Sequence, residues 1–272
     1  MKAKWVIENS DLERKNWDKI ADYVKEIGHE VIRVSYRPFT CEKLETQYGD
    51  EDCVVVFGCL GLVRAVYSKH QWVPGVWADF ENLKCSHYLS HWGKHSIHKK
   101  YCYLPWAEVN RQKDMLFDSF CDLKDQIFIR PDDNFKSFNG ELVAPEHWDR
   151  FVRNVECYLP NTHTMCMISK PSKLVNEWRF LIADGKVITG SEYFDEAYDP
   201  KAAEFAGKVA SEDYRPHPVY VMDICQTDDG VYHLLEIGSV NGAGLYYMDI
   251  PKVVDAVNKA AQKEWASVYA VD

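Results

Sequence analysis

The stretch that decides the fold is Val219-Tyr-Val-Met-Asp-Ile-Cys-Gln-Thr-Asp-Asp-Gly-Val-Tyr-His-Leu-Leu-Glu-Ile-Gly-Ser-Val-Asn-Gly-Ala-Gly244. Its two apolar runs, separated by Asp229-Gly230, predict a β-hairpin with one carboxylate in each strand. If Asp229-Gly230 forms a two-residue turn, Asp223 lies directly opposite Glu236. A four-residue turn leaves the two on one face as diagonal neighbours, and only a three-residue turn separates them.

A metal site on this hairpin is the first functional expectation. Carboxylates that face each other across strands repel, so the pair predicts a cation between them. Asn241 offers a third hard oxygen, and Gly242 and Gly244 let the backbone approach a ligand closely. Oxygen ligands from Asp223, Glu236 and Asn241 suit Mg²⁺, which keeps open positions for phosphate and water.

The composition excludes several classes of protein. The 272 residues are 46% hydrophobic, which is enough for one large domain or two smaller ones with a sizeable core. No run of about 18 apolar residues and no apolar leader are visible, so we expect neither a membrane span nor secretion. Nine scattered cysteines favour free thiols in a reducing cytoplasm. The net charge of −10 argues against non-specific nucleic-acid binding, although a local basic cleft remains open.

The first hundred residues predict an α/β layer. Strands are expected at 4–7, 31–34 and 53–57, and helices after the capping box Ser10-x-x-Glu13 and at 62–69. This order of elements is typical of a partly parallel sheet. Gly58 and Gly61 follow the third strand, where a tight turn and a ligand contact explain them equally well.

Leu104-Pro105 marks a boundary, after which helices and antiparallel strands are expected. The predicted elements are a helix at 114–122, a strand at 126–130, a helix from Pro145 to 158, a strand at 164–168, a hairpin over 176–189 turning at Asp184-Gly185, a helix at 200–211 and a terminal helix capped by Asp249. The polar loop 131–140 carries Lys136 and ends in glycine.

Four histidines, His87, His91, His95 and His98, recur at spacings of four, four and three. On one helix they would share a face, which suggests a metal site. Gly93 interrupts such a helix, and no carboxylate or second cysteine completes a ligand set. Polar surface or substrate contact is therefore the favoured interpretation of the cluster.

Two strand arginines and one loop lysine stand out, because core strands seldom carry cations. Arg130 ends one strand, Arg179 lies inside another, and Lys136 lies in the loop. With the hairpin carboxylates they would form a phosphate and Mg²⁺ site. The alternative, surface ion pairs and a solvated lysine, is about equally favoured on composition alone.

Three segments resemble the ATP-grasp superfamily. Ile127-Phe-Ile-Arg-Pro131 with its loop resembles the first phosphate-binding strand. The segment from Glu177 to Ile188 resembles the Glu-x-Arg strand and hairpin, and Asp223 with residues 234–244 resembles the metal-binding end. Arg130 stands where many members have lysine, which is similar to the two-arginine-one-lysine (R2K) clade. Many proteins of that clade are phage-encoded and predicted to be peptide ligases.

The resemblance implies an α/β plus α+β protein with an ATP-grasp fold, in which two α+β lobes grip ATP. A small α/β pre-ATP-grasp domain would occupy residues 1–104, and the ATP-grasp domain 105–272. Its N-lobe would span about 105–168 and its C-lobe about 169–272. The compartment implied is the cytoplasm, that of the host if a phage encodes the chain.

Site residues follow from the resemblance position by position. The metal ligands would be Asp223, Glu236 and Asn241. The catalytic and phosphate-contacting residues would be Arg130, Lys136 and Arg179. Further ATP contacts would come from Met167, Ser169, Lys170 and Glu177, with the first three along the adenine and Glu177 at the ribose. Arg64 and Tyr193 are candidate substrate contacts, although packing or surface pairing is the favoured interpretation of each.

The function implied is an ATP- and Mg²⁺-dependent carboxylate–amine ligase that acts through an acyl-phosphate. Its partners would be ATP, a carboxylate donor, and an amine acceptor that is an amino acid, peptide or protein. Three alternatives remain: a small-molecule kinase, a nucleotide-binding interaction protein without turnover, and a metal-binding protein that uses the histidine cluster.

Overall fold

The computed structural model describes residues 2–9, 14–37, 43–121, 125–193, 195 and 197–269. Twelve strands and eight α-helices are assigned within these residues. In chain order they are β1 (Lys4–Glu8), α1 (Arg14–Glu26), β2 (Val31–Val34), β3 (Cys53–Phe57), α2 (Leu60–Ser68), β4 (Val73–Gly75), α3 (Cys85–Trp92), β5 (Tyr101–Pro105), α4 (Trp106–Arg111), α5 (Lys113–Phe120), β6 (Ile127–Pro131), β7 (Glu141–Val143), α6 (Trp148–Glu156), β8 (Met165–Ser169), β9 (Leu174–Ala183), β10 (Lys186–Glu192), α7 (Pro200–Ala210), β11 (Val219–Thr227), β12 (Tyr232–Gly238) and α8 (Ile250–Tyr269).

The chain packs as two units that do not follow the expected boundary at residue 104. Unit 1 comprises Met1–Asp79, Trp178–Asp223 and Ile237–Asp272, and unit 2 comprises Phe80–Glu177 and Ile224–Glu236. Residue 104 lies inside β5, which pairs along its whole length with β8. The predicted lobes remain a prediction, and the packing units are divided elsewhere because strand pairing crosses the boundary.

Unit 1 contains the α/β layer expected from the first hundred residues. Its sheet has the order β2-β1-β3-β4, and β1 pairs in parallel with both β2 and β3. Trp5 is fully buried, stacks on Phe57 with ring centroids 5.4 Å apart, and donates its indole N–H to Asn258 Oδ1 at 2.9 Å. The core is thus apolar, and its one buried indole N–H on β1 is satisfied.

Unit 2 contains an antiparallel sheet in the order β5-β8-β6-β7. Side chains alternate across a strand, so the two faces of this sheet can be told apart. Ile127 and Ile129 are fully buried in a core that also holds Trp106 and Phe151. The residues between and after these isoleucines, above all Arg130, therefore lie on the opposite face.

The third sheet has the order β10-β9-β11-β12. Ala183 pairs with Lys186 across the turn Asp184-Gly185, and both turn residues have positive φ, 47° and 74°. This is the two-residue primed turn that the sequence predicts, and the expected hairpin is confirmed.

The turn of the central hairpin differs from the expected two-residue form. Thr227 N donates to Val231 O at 3.1 Å and Gly230 N donates to Thr227 O at 2.9 Å, so the loop has three residues. Only Gly230 among them has positive φ, 82°. The Asp229 carboxylate accepts from Thr227 Oγ1 at 2.6 Å and from Val231 N at 3.1 Å. These bonds favour a type I turn with a glycine bulge, so the direct pairing of Asp223 with Glu236 is wrong.

Smaller expectations have mixed outcomes. The helix expected from Pro145 begins with a short 3₁₀ turn, Pro145–His147, before α6. The capping box at residues 10–13 lies outside the described residues. All eight cysteines in the described part of the chain are free. None of the helices assigned there is long and apolar enough to cross a bilayer.

Candidate functional site

In unit 2, Arg130 forms an ion pair with Glu236. It lies near the end of β6 on the face opposite the isoleucine core, and its Nη1 lies 3.0 Å from Glu236 Oε2. The two side chains are only 11% and 20% exposed. A guanidinium and a carboxylate that are this far removed from water interact more strongly than a surface pair.

The surroundings keep Arg130 charged. Burial acts to lower its pKa, but the neighbouring Cys85 and Glu236 oppose burial, and the pKa of Arg130 is raised overall. Burial also raises the pKa of the Cys85 thiol, so this thiol is neutral at pH 7. Glu236 is therefore the partner that balances the guanidinium at physiological pH.

Arg179 and Asp223 form a second, deeper pair in unit 1. Arg179 Nε lies 2.7 Å from Asp223 Oδ1 and Nη2 lies 2.6 Å from Oδ2, which is bidentate geometry. The side chains are 6% and 1% exposed. Arg179 also donates to Gly244 O at 3.2 Å and to Tyr193 Oη at 2.7 Å. Its guanidinium carbon lies 5.1 Å from the Tyr193 ring centroid and 5.2 Å from that of Tyr246.

Tyr193 therefore contacts a proposed catalytic arginine. Burial first, and then the charge of Asp223, raise the pKa of Tyr193, so the phenol stays protonated. The sequence suggested Tyr193 only as a candidate substrate contact and did not single out Tyr246. No sequence pattern around Tyr246 predicts that its ring contacts the Arg179 guanidinium.

Asn241 is fully buried in unit 1 and its amide is hydrogen-bonded at both ends. Oδ1 accepts from Trp77 N at 2.8 Å, and Nδ2 donates to Val56 O at 2.7 Å. Gly58 N also donates to the Asn241 carbonyl at 3.0 Å. The predicted metal role of Asn241 remains a prediction, and these bonds favour a role in tying its segment to β3.

Lys136 lies exposed on the loop after β6. Its φ is 52°, and the loop is held on both sides by aromatic packing: Phe135 lies 3.9 Å from Phe80 between ring centroids, and Phe138 is buried in the unit 2 core. Within the described part of the chain, no carboxylate lies in salt-bridge range of the Lys136 ammonium group. Its charge is therefore available to an anion.

The residues expected along the adenine lie in the second half of β8 and directly after it. Met167 is fully buried and pairs with Arg130 across the sheet. Ser169 is also fully buried, while the exposed Lys170 donates its backbone N–H to Lys100 O at 3.0 Å. Glu177 lies half-buried on β9. Their contacts with a nucleotide remain predictions.

The histidines do not form one helical face. His87 and His91 lie on α3 with ring centroids 5.6 Å apart, His95 lies in a 3₁₀ turn, and His98 is buried beyond it. No group of three or more His, Cys, Asp or Glu side chains in the described ranges is placed to hold a metal ion. The metal-binding interpretation of this cluster has no support there.

A cavity of about 800 Å³ lies in unit 1, lined by residues that include Trp72, Trp77, Asp79, His217 and Lys263. Neither Arg179 nor Asp223 lines it. His217 Nε2 accepts from Asp79 N at 2.9 Å, and burial lowers the pKa of His217 to about 4. The cavity is thus separate from the arginine–carboxylate pair of the same unit.

Solved structures share the fold over nearly the whole chain. D-cycloserine synthetase DcsG has a TM-score of 0.66 at 13% identity, covering 95% of this chain and 99% of that one. D-alanyl-alanine synthetase A from Vibrio cholerae O1 biovar eltor has a TM-score of 0.60 at 13% identity, covering 98% and 99%. The ATP-grasp ligase PsnB, complexed with precursor peptide PsnA2 and AMPPNP, has a TM-score of 0.54 at 11% identity, covering 96% and 97%.

Identities this low establish the fold alone, and they confirm the expected ATP-grasp architecture. No curated protein sequence matches the chain. The profile described as ATP-grasp domain, R2K clade family 3, matches residues 13–257, which is most of the chain. The chain therefore belongs to the R2K clade of ATP-grasp proteins, in its family 3.

Proposed function

We propose that this protein is an ATP- and Mg²⁺-dependent ligase that joins a carboxylate to an amine through an acyl-phosphate. Its family supports an ATP-dependent carbon–nitrogen ligase in general. The donor, the acceptor and the role of each residue belong to the proposal.

One observation carries the assignment: each carboxylate predicted to hold metal already contacts an arginine predicted to hold phosphate. Asp223 contacts Arg179, and Glu236 contacts Arg130. Without ligand, each pair neutralises its own charge. Bound Mg–ATP would offer the carboxylates a cation and the arginines an anion, so all four charges would keep partners. Such an exchange avoids an uncompensated buried charge in either state.

The donor set fits a hard cation. Mg²⁺ is commonly held by one or two carboxylates together with substrate phosphates and water. Each unit offers one such carboxylate, Asp223 in unit 1 and Glu236 in unit 2, whereas Asn241 has both ends of its amide engaged. Bound Mg²⁺ would neutralise negative charge on the phosphate oxygens.

The proposed reaction has two steps that balance. A carboxylate oxygen of the donor attacks the γ-phosphorus of ATP, the bond to the bridging oxygen breaks, and ADP leaves. The amine then attacks the acyl carbon, phosphate leaves, the amine loses a proton and an amide forms. Arg130, Lys136 and Arg179 would stabilise the phosphoryl charge in the first step by direct hydrogen bonds.

An acyl-phosphate must be shielded from water. The loop 131–140 is the proposed lid, because it presents Lys136 between two aromatic anchors. Closure of such a loop would bring a cation to the phosphates and exclude solvent together.

The test is a screen of amino acids and short peptides for stimulated ADP release. We expect stimulation only with Mg²⁺ and both substrates, and we expect Asp223→Asn and Glu236→Gln to lower the rate by at least about 100-fold. Asp184→Asn, which changes an exposed carboxylate in unit 1, is the matched control. Unchanged rates in both site variants would contradict the metal assignment.

A small-molecule kinase is the second candidate, since the same charges would serve phosphoryl transfer to a hydroxyl group. The product separates the two: a ligase releases free phosphate and an amide, whereas a kinase retains the phosphoryl group on its substrate. A binding protein without turnover would release no ADP under any condition of the screen.

A further inference from the structure

His98 is a buried imidazole with a fixed orientation in unit 2. The residue is 6% exposed, and its Nδ1 lies 2.9 Å from Ser169 Oγ. The ring stacks on Phe128 with centroids 5.4 Å apart and planes inclined by 17°. A hydrogen bond at one edge and a stacked neighbour leave the ring little freedom to rotate.

The imidazole lies on the sheet face that carries Arg130. Phe128 pairs with Ser169, and Arg130 pairs with Met167 two residues further along the same strands. Residues two apart on a strand share a face and lie about 7 Å apart. His98 contacts the first of these pairs, so it lies beside Arg130 on the face opposite the isoleucine core.

The segment that carries His98 is also tied to the strand of Glu236. Ile97 N donates to Leu234 O at 3.0 Å, and Ser96 forms a parallel bridge with Leu234. Glu236 follows two residues later on that strand. His98 is therefore positioned by both strands that supply the charged pair of unit 2.

The hydrogen bond to Ser169 selects one tautomer. Among the described residues, the Ser169 hydroxyl makes no side-chain hydrogen bond other than this one, and its proton is used only if it donates to Nδ1; we therefore assign the ring proton to Nε2. Burial, assisted by Arg130, lowers the pKa of His98 to about 3, so the ring is neutral. Nε2 is shielded from solvent and has no hydrogen-bond partner in the described part of the chain.

A buried donor without an acceptor is unfavourable and calls for an explanation. We propose that His98 is a further nucleotide-binding residue, whose Nε2–H donates to an anionic phosphate oxygen of the ATP bound by Arg130. A neutral donor beside a guanidinium adds a hydrogen bond to the anion without adding another buried charge. The inference rests on the proposed function, because it requires that Arg130 binds phosphate.

Calorimetric titration of the full-length protein with Mg–ATP and with adenosine tests it. In His98→Asn the amide oxygen takes the place of Nδ1 and accepts from the Ser169 hydroxyl, and the distal donor is lost. We expect ATP affinity to fall about tenfold and adenosine affinity to stay unchanged. In His98→Gln the amide nitrogen reaches the place of Nε2, and we expect ATP affinity to recover to within about threefold of wild type.

His91→Asn, an exposed histidine of α3, is the matched control and should match wild type. Ser169→Ala leaves the imidazole in place but no longer fixes its tautomer. We expect the affinity for ATP to fall about threefold and that for adenosine to stay unchanged, which distinguishes this effect from loss of the predicted adenine contact of Ser169. The inference is overturned if His98→Asn or Ser169→Ala binds ATP as wild type does, if adenosine weakens as much as ATP, or if His98→Gln shows no recovery. If the wild-type protein binds Mg–ATP no more tightly than adenosine, the proposed function itself is refuted.

Discussion

Breaking the buried Arg179–Asp223 pair should cost far more folding stability than breaking an exposed ion pair. Asp223→Asn removes the negative charge and leaves the Arg179 guanidinium on a side chain that is 6% exposed. One amide oxygen, Gly244 O and Tyr193 Oη remain as acceptors. Breaking a buried pair from one side destabilises by about 3–5 kcal/mol. Because three acceptors remain, we expect the lower end, a loss of about 3 kcal/mol in the free energy of unfolding.

Equilibrium urea unfolding measures this loss. The control is Asp184→Asn, which disrupts the exposed Lys263–Asp184 pair, whose side chains are 71% and 49% exposed, and should change stability by less than about 0.5 kcal/mol. Asparagine tolerates the positive φ of this position, so the turn is retained. Adding Arg179→Met to Asp223→Asn removes the unpaired charge and should recover part of the loss. Equal effects of the two Asp→Asn changes, or no coupling with Arg179→Met, would refute the reasoning.

Three further predictions follow from other parts of the molecule. Mg²⁺ and ATP should bind cooperatively, each raising the affinity of the other about tenfold or more in calorimetry. Mg²⁺ bound by the carboxylates frees the arginines for the phosphates, and phosphates bound by the arginines free the carboxylates for Mg²⁺. Independent binding would contradict this exchange of partners. His217 has a folded-state pKa of about 4, below the usual 6.5, so only the unfolded chain gains its proton between these values. The contribution of His217 to stability should therefore be constant above pH 6.5 and fall by about 1.4 kcal/mol per pH unit between pH 6.5 and about 4, and His217→Gln should reduce the slope in that range in acid titrations. A Cβ at Gly140 would lie 2.8 Å from Phe128 Cζ, so Gly140→Ala should destabilise by about 1–3 kcal/mol in thermal unfolding, and a neutral result would show that the ring moves freely.

Local chemistry explains which turns were predictable. Asp184-Gly185 and Asp229-Gly230 have the same two letters, yet only the first forms a two-residue turn. In the second, the preceding Thr227 donates its hydroxyl to the Asp229 carboxylate and stabilises a longer loop. A dipeptide signal identifies the hairpin, whereas its register depends on side chains outside the dipeptide.

Partners distant in sequence explain most of what the sequence did not reveal. The metal role predicted for Asn241 stays a prediction, but the hydrogen bonds of its amide to Val56 and Trp77, which lie far earlier in the chain, carried no signal in the sequence. The domain boundary near Leu104 likewise stays a prediction, while the packing units are divided elsewhere, since β5 pairs with a strand some sixty residues later. By contrast, Arg130 and Arg179 were recognisable, because a cation in an apolar strand needs a buried partner.

The most direct test of the central claim follows the oxygen atoms. The screened carboxylate substrate is labelled with ¹⁸O in its carboxylate group, and the released phosphate is analysed by mass spectrometry. Activation through an acyl-phosphate predicts one labelled oxygen in the phosphate, formed together with the amide and lost in Asp223→Asn and Glu236→Gln. Phosphate without label, or a substrate that keeps the phosphoryl group, would contradict the account.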